Sequence, residues 1–157
     1  MKVVVPFATS SPMLPAVRLA LTQDGWEPEF YHCDKDDSYH TLMELYWNAK
    51  EDFCVVEHDI VVWPSALQEL ADCNQLWCTR PYYCSVGWIV DGLGCTKFAQ
   101  KLIELYPNFL QEPFPTCCKH TRYFCGLDRL IAHRMQELGI KPHVHLPGVS
   151  NLNEKWT

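Results

Sequence analysis

The chain has 157 residues, 48% of them hydrophobic and 20% charged, which is the make-up of one folded domain and excludes a disordered or fibrous protein. Nineteen acidic residues outweigh thirteen basic ones, and the net charge of -6 gives no general attraction to nucleic acid or to an anionic membrane. No apolar stretch approaches the length of a membrane span.

The opening KVVVPF, short and β-branched, predicts a buried strand over Lys2–Phe7. Ser11 and Pro12 then open a helix over 11–23, with Leu14, Val17 and Leu21 on one face and Asp24-Gly25 as its stop. A second strand covers 27–32, and after the loop CDKDDS, Ser38 is placed to cap a helix carrying Leu42, Leu45 and Tyr46. The third strand covers 53–57. Pro64 suits a first helical turn, which Ala66, Leu67 and Leu70 continue. Residues 76–83 and 86–90 read as strands around a turn, and 96–105 as a helix. A proline-rich connection over 107–122 leads to a helix over 127–138, ended by Gly139, and to a last strand over 140–146. This order predicts an α/β fold, a three-layer α/β/α sandwich about a mixed, mostly parallel sheet.

Nine cysteines, at 33, 54, 73, 78, 84, 95, 117, 118 and 125, form no C-x-x-C pair. Pro6 and the polar TSSP cut the first apolar run too early for a secretory leader. Odd in number and without a leader, they predict buried free thiols in a reducing, cytoplasmic setting.

Open parallel sheets bind ligands beyond the carboxyl ends of their strands, and three polar clusters fall there: residues 7–11, 33–38 and 57–59. In FCVVEHDIVVWP the trio Glu57, His58 and Asp59 interrupts an apolar run. If extended, it points both carboxylates one way, toward a hard cation such as Mg²⁺ or Mn²⁺, or simply toward solvent. HVHLP sets His143 and His145 on one strand face, where they suit Zn²⁺, complete a site at Asp59, or lie on the surface. The C-x₄-C spacing of Cys73 and Cys78 does not match a structural zinc knuckle. Asp128, in CGLDRL at a helix start, either complements the helix dipole or serves as a general base.

In this order the pieces resemble a small GT-A glycosyltransferase. EHD stands where that family carries a D-x-D-type metal motif, with Glu as its first acid; VPFATS and HCDKDDS resemble its nucleotide-binding strand ends. WCTRPYY with GLGCTKFAQKLIELYP resembles the acceptor side, and CGLDRLIAHRMQELGIKPHVHLPGV the closing part. The resemblance implies a Rossmann-like half over 1–63 that binds the nucleotide-sugar and an acceptor-binding, catalytic half over 64–157. It implies Mn²⁺ or Mg²⁺ on Asp59, helped by Glu57 and joined by His145, with His143 as second choice. Pro6, Phe7, Ala8 and Thr9, together with Asp34, Asp36, Glu57 and the spacer His58, would contact the donor, expected to be a UDP-sugar. Asp128 would be the base of an inverting transfer. Arg80, Tyr82, Tyr83 and Trp88 would meet an acceptor that is a glycan, a small metabolite or a hydroxylated nucleobase in DNA. Two other readings stand beside this one: a non-catalytic nucleotide-sugar module of the same fold, and a zinc or thiol regulatory protein.

Overall fold

The computed structural model describes residues 1–23, 25–35, 37–111 and 124–152. Along the chain run β1 (Lys2–Phe7), α1 (Pro15–Gln23), β2 (Glu29–His32), α2 (Ser38–Ala49), β3 (Phe53–Val56), β4 (Ile60–Val61) and α3 (Ala66–Asp72). There follow β5 (Trp77–Thr79), β6 (Tyr82–Cys84), β7 (Gly87–Ile89), β8 (Cys95–Phe98), α4 (Gln100–Leu105), α5 (Phe124–Glu137), β9 (His143–Val144) and β10 (Ser150–Asn151). The main sheet has six strands in the order β2-β1-β3-β8-β5-β9. Only β8 runs against the others, pairing antiparallel with both β3 and β5.

The sheet is covered on both faces, which is why its central strands read as unbroken apolar runs. Alternate residues serve opposite cores. Val4, Phe53, Val55 and Phe98 pack with Leu42 and Trp47 of α2, Leu102 of α4 and Ile131 of α5. Val3, Val5, Cys54 and Val56 pack with Val17 and Leu21 of α1 and Leu67 and Leu70 of α3. Trp47 anchors the first core: it stacks on Phe109 at 4.9 Å, and its indole N–H donates to the Tyr106 carbonyl at 3.0 Å, so its one polar atom is satisfied. Two apolar cores about one sheet make the three-layer α/β/α sandwich expected from the element order. Among the described residues no helix is long and apolar enough to cross a membrane.

Several expected elements differ in the structure. The helix over 96–105 is the strand β8 followed by the short α4, because Cys95, Thr96, Lys97 and Phe98 are buried between two strands that supply their backbone partners. Helix α1 starts at Pro15, since Ala8 and Ser11 exchange both backbone hydrogen bonds at 3.0 Å and close a turn first. Ser38 does not cap α2; its hydroxyl accepts from the Lys35 N–H at 3.1 Å and holds the preceding turn. The last strand shrinks to His143–Val144. Past it, Ser150–Asn151 forms a second small sheet with β4, for which so short a polar segment carries no sequence signal. Most of the proline-rich connection lies outside the described residues.

Candidate active site

Because β1, β2, β3, β5 and β9 run parallel, their carboxyl ends gather at one edge of the sheet. At the first of these ends Pro6 and Phe7 close β1, and Ala8 and Thr9 follow. Thr9 gives both its donors to Asp34 beyond β2, the N–H at 2.7 Å and the hydroxyl at 2.6 Å. Those bonds hold the Asp34 carboxyl below the usual range, with a further pull from His32, whose Nε2 lies 3.2 Å away. Phe7 faces His32 with ring centroids 5.0 Å apart. Asp34 thus ties two strand ends together as well as presenting charge at the edge. Asp36 lies outside the described residues.

Beyond β3 the polar trio is not extended. The Ile60 N–H donates back to the Glu57 carbonyl at 3.0 Å, so residues 57–60 make a tight turn before β4, and the period-two argument for aiming Glu57 and Asp59 does not apply. The turn nevertheless keeps the carboxyls close. Burial, then Asp59 and then Asp128 push the Glu57 carboxyl up to about 8, against a hydrogen bond from the Tyr39 hydroxyl at 3.1 Å. His58 is buried, and its carbonyl accepts from the Leu14 N–H at 3.2 Å, which docks the start of α1 on the turn. The Leu152 N–H donates to the Asp59 carbonyl at 2.9 Å, so the segment after β10 also closes on it.

Glu57 and Asp128 line one cleft of about 950 Å³, of the size that holds a small-molecule substrate. Asp128 lies on α5, where burial pushes its carboxyl up. Tyr82, Asp91, Gly92, Arg129, His133 and Asn151 complete much of the wall. The hairpin of β6 and β7 forms one side: Tyr82 is buried toward the cleft, while Tyr83 and Trp88 pair edge to face at 5.8 Å and stay exposed. A Cβ on Gly94 would come to 2.5 Å from the Tyr82 ring, so glycine there lets the ring pack against the backbone whose carbonyl receives the Glu57 N–H.

Two expected site residues stand elsewhere. Arg80 has a fully buried side chain that donates to the carbonyls of Ala66 at 3.2 Å and Pro147 at 3.3 Å, pairs with Glu69, and stacks on Trp63 at 4.3 Å. Its guanidinium is committed to joining α3, β5 and the chain after β9, which corrects its assignment to the acceptor. His145 does not accompany Asp59: its imidazole groups with Cys73 and Cys78, and His143 packs on it edge to face. Burial pushes Cys33 up to about 11 and Cys78 up to about 12, which makes these two thiols poor nucleophiles.

Sequence reasoning missed Asp91, Arg129, His133 and Asn151. Helical spacing held a signal for two of them, because Arg129 and His133 are four apart on α5, each directly after the cleft residues Asp128 and Ala132. Asp91 and Asn151 reach it only through the folded hairpin and the β4–β10 pairing.

No known family model and no curated protein matches the chain. Solved structures match its fold, among them the following two. Protein A197 from STIV superimposes with a TM-score of 0.57 at 11% identity, over 96% of this chain and 81% of that one. A glycosyltransferase involved in the glycosylation of the major capsid of PBCV-1 superimposes with a TM-score of 0.50 at 12% identity, over 94% of this chain and 83% of that one. At these identities the likeness is one of architecture: the chain has a glycosyltransferase-like mixed α/β fold.

Proposed function

We propose that the protein is a metal-dependent glycosyltransferase of the GT-A type, moving a sugar from a nucleoside-diphosphate sugar, UDP-linked by preference, to a hydroxyl acceptor with inversion. The observation that supports it most is the meeting of Glu57, Asp59 and Asp128 at the carboxyl edge of a glycosyltransferase-like sheet, with Glu57 and Asp128 on one cleft.

The donor set fits a hard divalent cation. Crowded carboxyls in a poorly hydrated site repel one another, and oxygen ligands suit Mn²⁺ or Mg²⁺. Asp59 and Glu57 would hold the ion, which when bound offsets negative charge gathering on the departing diphosphate. Asp128 is the general base of this reading. It takes the proton of the acceptor hydroxyl as that oxygen bonds to the anomeric carbon, while the bond from that carbon to the diphosphate oxygen breaks and its electron pair leaves with the nucleoside diphosphate. Partial burial makes Asp128 a better proton acceptor than a surface aspartate. Tyr82 in the cleft wall, with the exposed Tyr83 and Trp88 beside it, offers aromatic surface on which an acceptor ring can stack. The Thr9–Asp34–His32 cluster offers polar groups to the nucleotide at the neighbouring strand ends.

The purified chain incubated with a panel of nucleotide sugars and Mn²⁺ or Mg²⁺ should release nucleoside diphosphate. Asp128→Asn should lower acceptor-dependent turnover by about 10²–10⁴-fold while leaving donor binding in place. An Asp59→Asn variant as active as the parent would overturn the metal assignment, and a product of retained anomeric configuration would overturn inversion. Donor binding with no turnover on any acceptor would favour a non-catalytic module.

A further inference from the structure

A second ligand constellation lies apart from the carboxylate cleft. One ligand atom each of Cys73, Cys78 and His145 lies within 4.8 Å of the other two. Three elements bring them together: Cys73 ends α3, Cys78 is the middle residue of β5, and His145 follows β9. The parallel register sets Cys78 opposite His143, and the His145 N–H donates to the Thr79 carbonyl at 2.9 Å, so both histidines share the sheet face of Cys78. The imidazole Nε2 of His145 is buried without a hydrogen-bond partner among the described residues. A polar nitrogen is rarely left so, and the same ring carries a nitrogen within 4.8 Å of two sulfurs, which are poor hydrogen-bond partners.

We propose that Cys73, Cys78 and His145 form a zinc site, with the exposed imidazole of His143 as the fourth donor. The chemistry favours Zn²⁺ over the hard cations, because thiolate and imidazole are softer ligands than carboxylate. The size fits as well. Two thiolates ~2.3 Å from a tetrahedral zinc stand about 3.8 Å apart, within the spread of the three atoms. His143 is next to the cluster, its ring centroid 4.7 Å from that of His145. Binding releases the two thiol protons, and the two thiolates then cancel the charge of the ion. That neutrality matters where Lys97 donates to the Cys73 carbonyl at 2.8 Å and the buried Arg80 adjoins His145. The C-x₄-C spacing works here because the ligands come from a helix end and a strand, not from a zinc knuckle. Zinc would clip the two-residue edge strand β9 to β5 and α3.

The full chain, produced in zinc-supplemented medium and purified under reductant, should carry roughly one zinc per molecule by mass spectrometry of the metal. After chelation, Co²⁺ should give tetrahedral visible bands and a thiolate charge-transfer band. Cys73→Ser and His145→Asn should each abolish the bound zinc and shift or remove those bands, while Cys84→Ala leaves them intact. Zinc should also raise the melting temperature of the parent and of Cys84→Ala, but not of Cys73→Ser. A parent chain that holds no zinc and gives no charge-transfer band overturns the site, whatever the variants do. So does a Cys73–Cys78 disulfide in the reductant-purified protein, or unchanged bands in both ligand variants.

Discussion

At the scale of single residues, burial separates side chains that serve the fold from those that face the cleft. Arg80 and Glu57 are both ionisable groups near the strand ends, yet Arg80 spends its donors on two carbonyls and a carboxylate, whereas Glu57 is crowded by other acids. Truncating Arg80 to alanine should therefore lower unfolding stability by at least about 3 kcal/mol, as read from denaturant midpoints. Two charged hydrogen bonds, one to the buried Ala66 carbonyl and one to that of Pro147, and the packing on Trp63 are lost together. Tyr83→Ala and Trp88→Ala, at exposed positions, should each change stability by less than about 1 kcal/mol and show themselves in acceptor affinity instead. Glu57→Gln removes an acid whose ionisation the fold resists, since burial, Asp59 and Asp128 push it up to about 8. We expect it to raise the melting temperature of the metal-free chain by about 2–4 °C while losing metal-dependent turnover, the usual opposition between stability and a functional cluster. Unchanged melting would mean that the carboxylates are better hydrated than their burial indicates.

Single elements here are short and depend on groups from elsewhere in the chain. Helix α4 has only six residues and no capping side chain of its own at Ala99; Asp52, just before β3, accepts from the Gln100 N–H at 2.7 Å in its place. The same carboxylate pairs at 3.0 Å with Lys97, whose ammonium also donates to the carbonyls of Ala71 and Cys73 at the end of α3. Burial alone would raise the Asp52 carboxyl, but the Gln100 N–H and Lys97 outweigh it and hold it below its ordinary value. Its stabilisation is thus present above the unfolded-state value near ~3.9 and lost as pH falls through the lower folded value. Asp52→Asn should cost about 1 kcal/mol at neutral pH, after allowance for partial exposure, and parent and variant should converge in acid. A constant gap between their unfolding curves down to the lowest pH at which both fold would contradict this. Gly94→Ala should displace the Tyr82 ring and with it the cleft wall, lowering both stability and turnover. The change in near-ultraviolet circular dichroism gives the check.

For the whole molecule, one sheet carries two apolar cores, and the central antiparallel strand β8 touches both: Phe98 faces one and Cys95 the other. Phe98→Ala should therefore cost about 3–5 kcal/mol, more than a comparable change in the peripheral hairpin. Denaturant titration followed by tryptophan fluorescence would measure it. The layered arrangement also decides which loops meet. Parallel strands bring the ends of β1, β2 and β3 to one edge, and α5 then lays Asp128 beside Glu57 from more than seventy residues away.

The sequence by itself determined the strands β1, β2 and β3, the helices α2 and α5, and the polar character of the strand ends. Those features are written in local periodicity: KVVVPF and FCVV are continuous apolar runs, and α5 repeats its faces every four residues. Tertiary structure alone decided the rest, because the deciding interactions are not local. Residues 95–98 form a strand only because β3 and β5 flank them, and the EHD trio becomes a turn only because Ile60 leads into a pairing with the far end of the chain. Arg80 looks like a site residue in WCTRPYY until Ala66, Glu69 and Pro147 close around it. His145, paired in sequence with His143, gains its cysteine neighbours only when α3 and β5 pack against the last edge of the sheet.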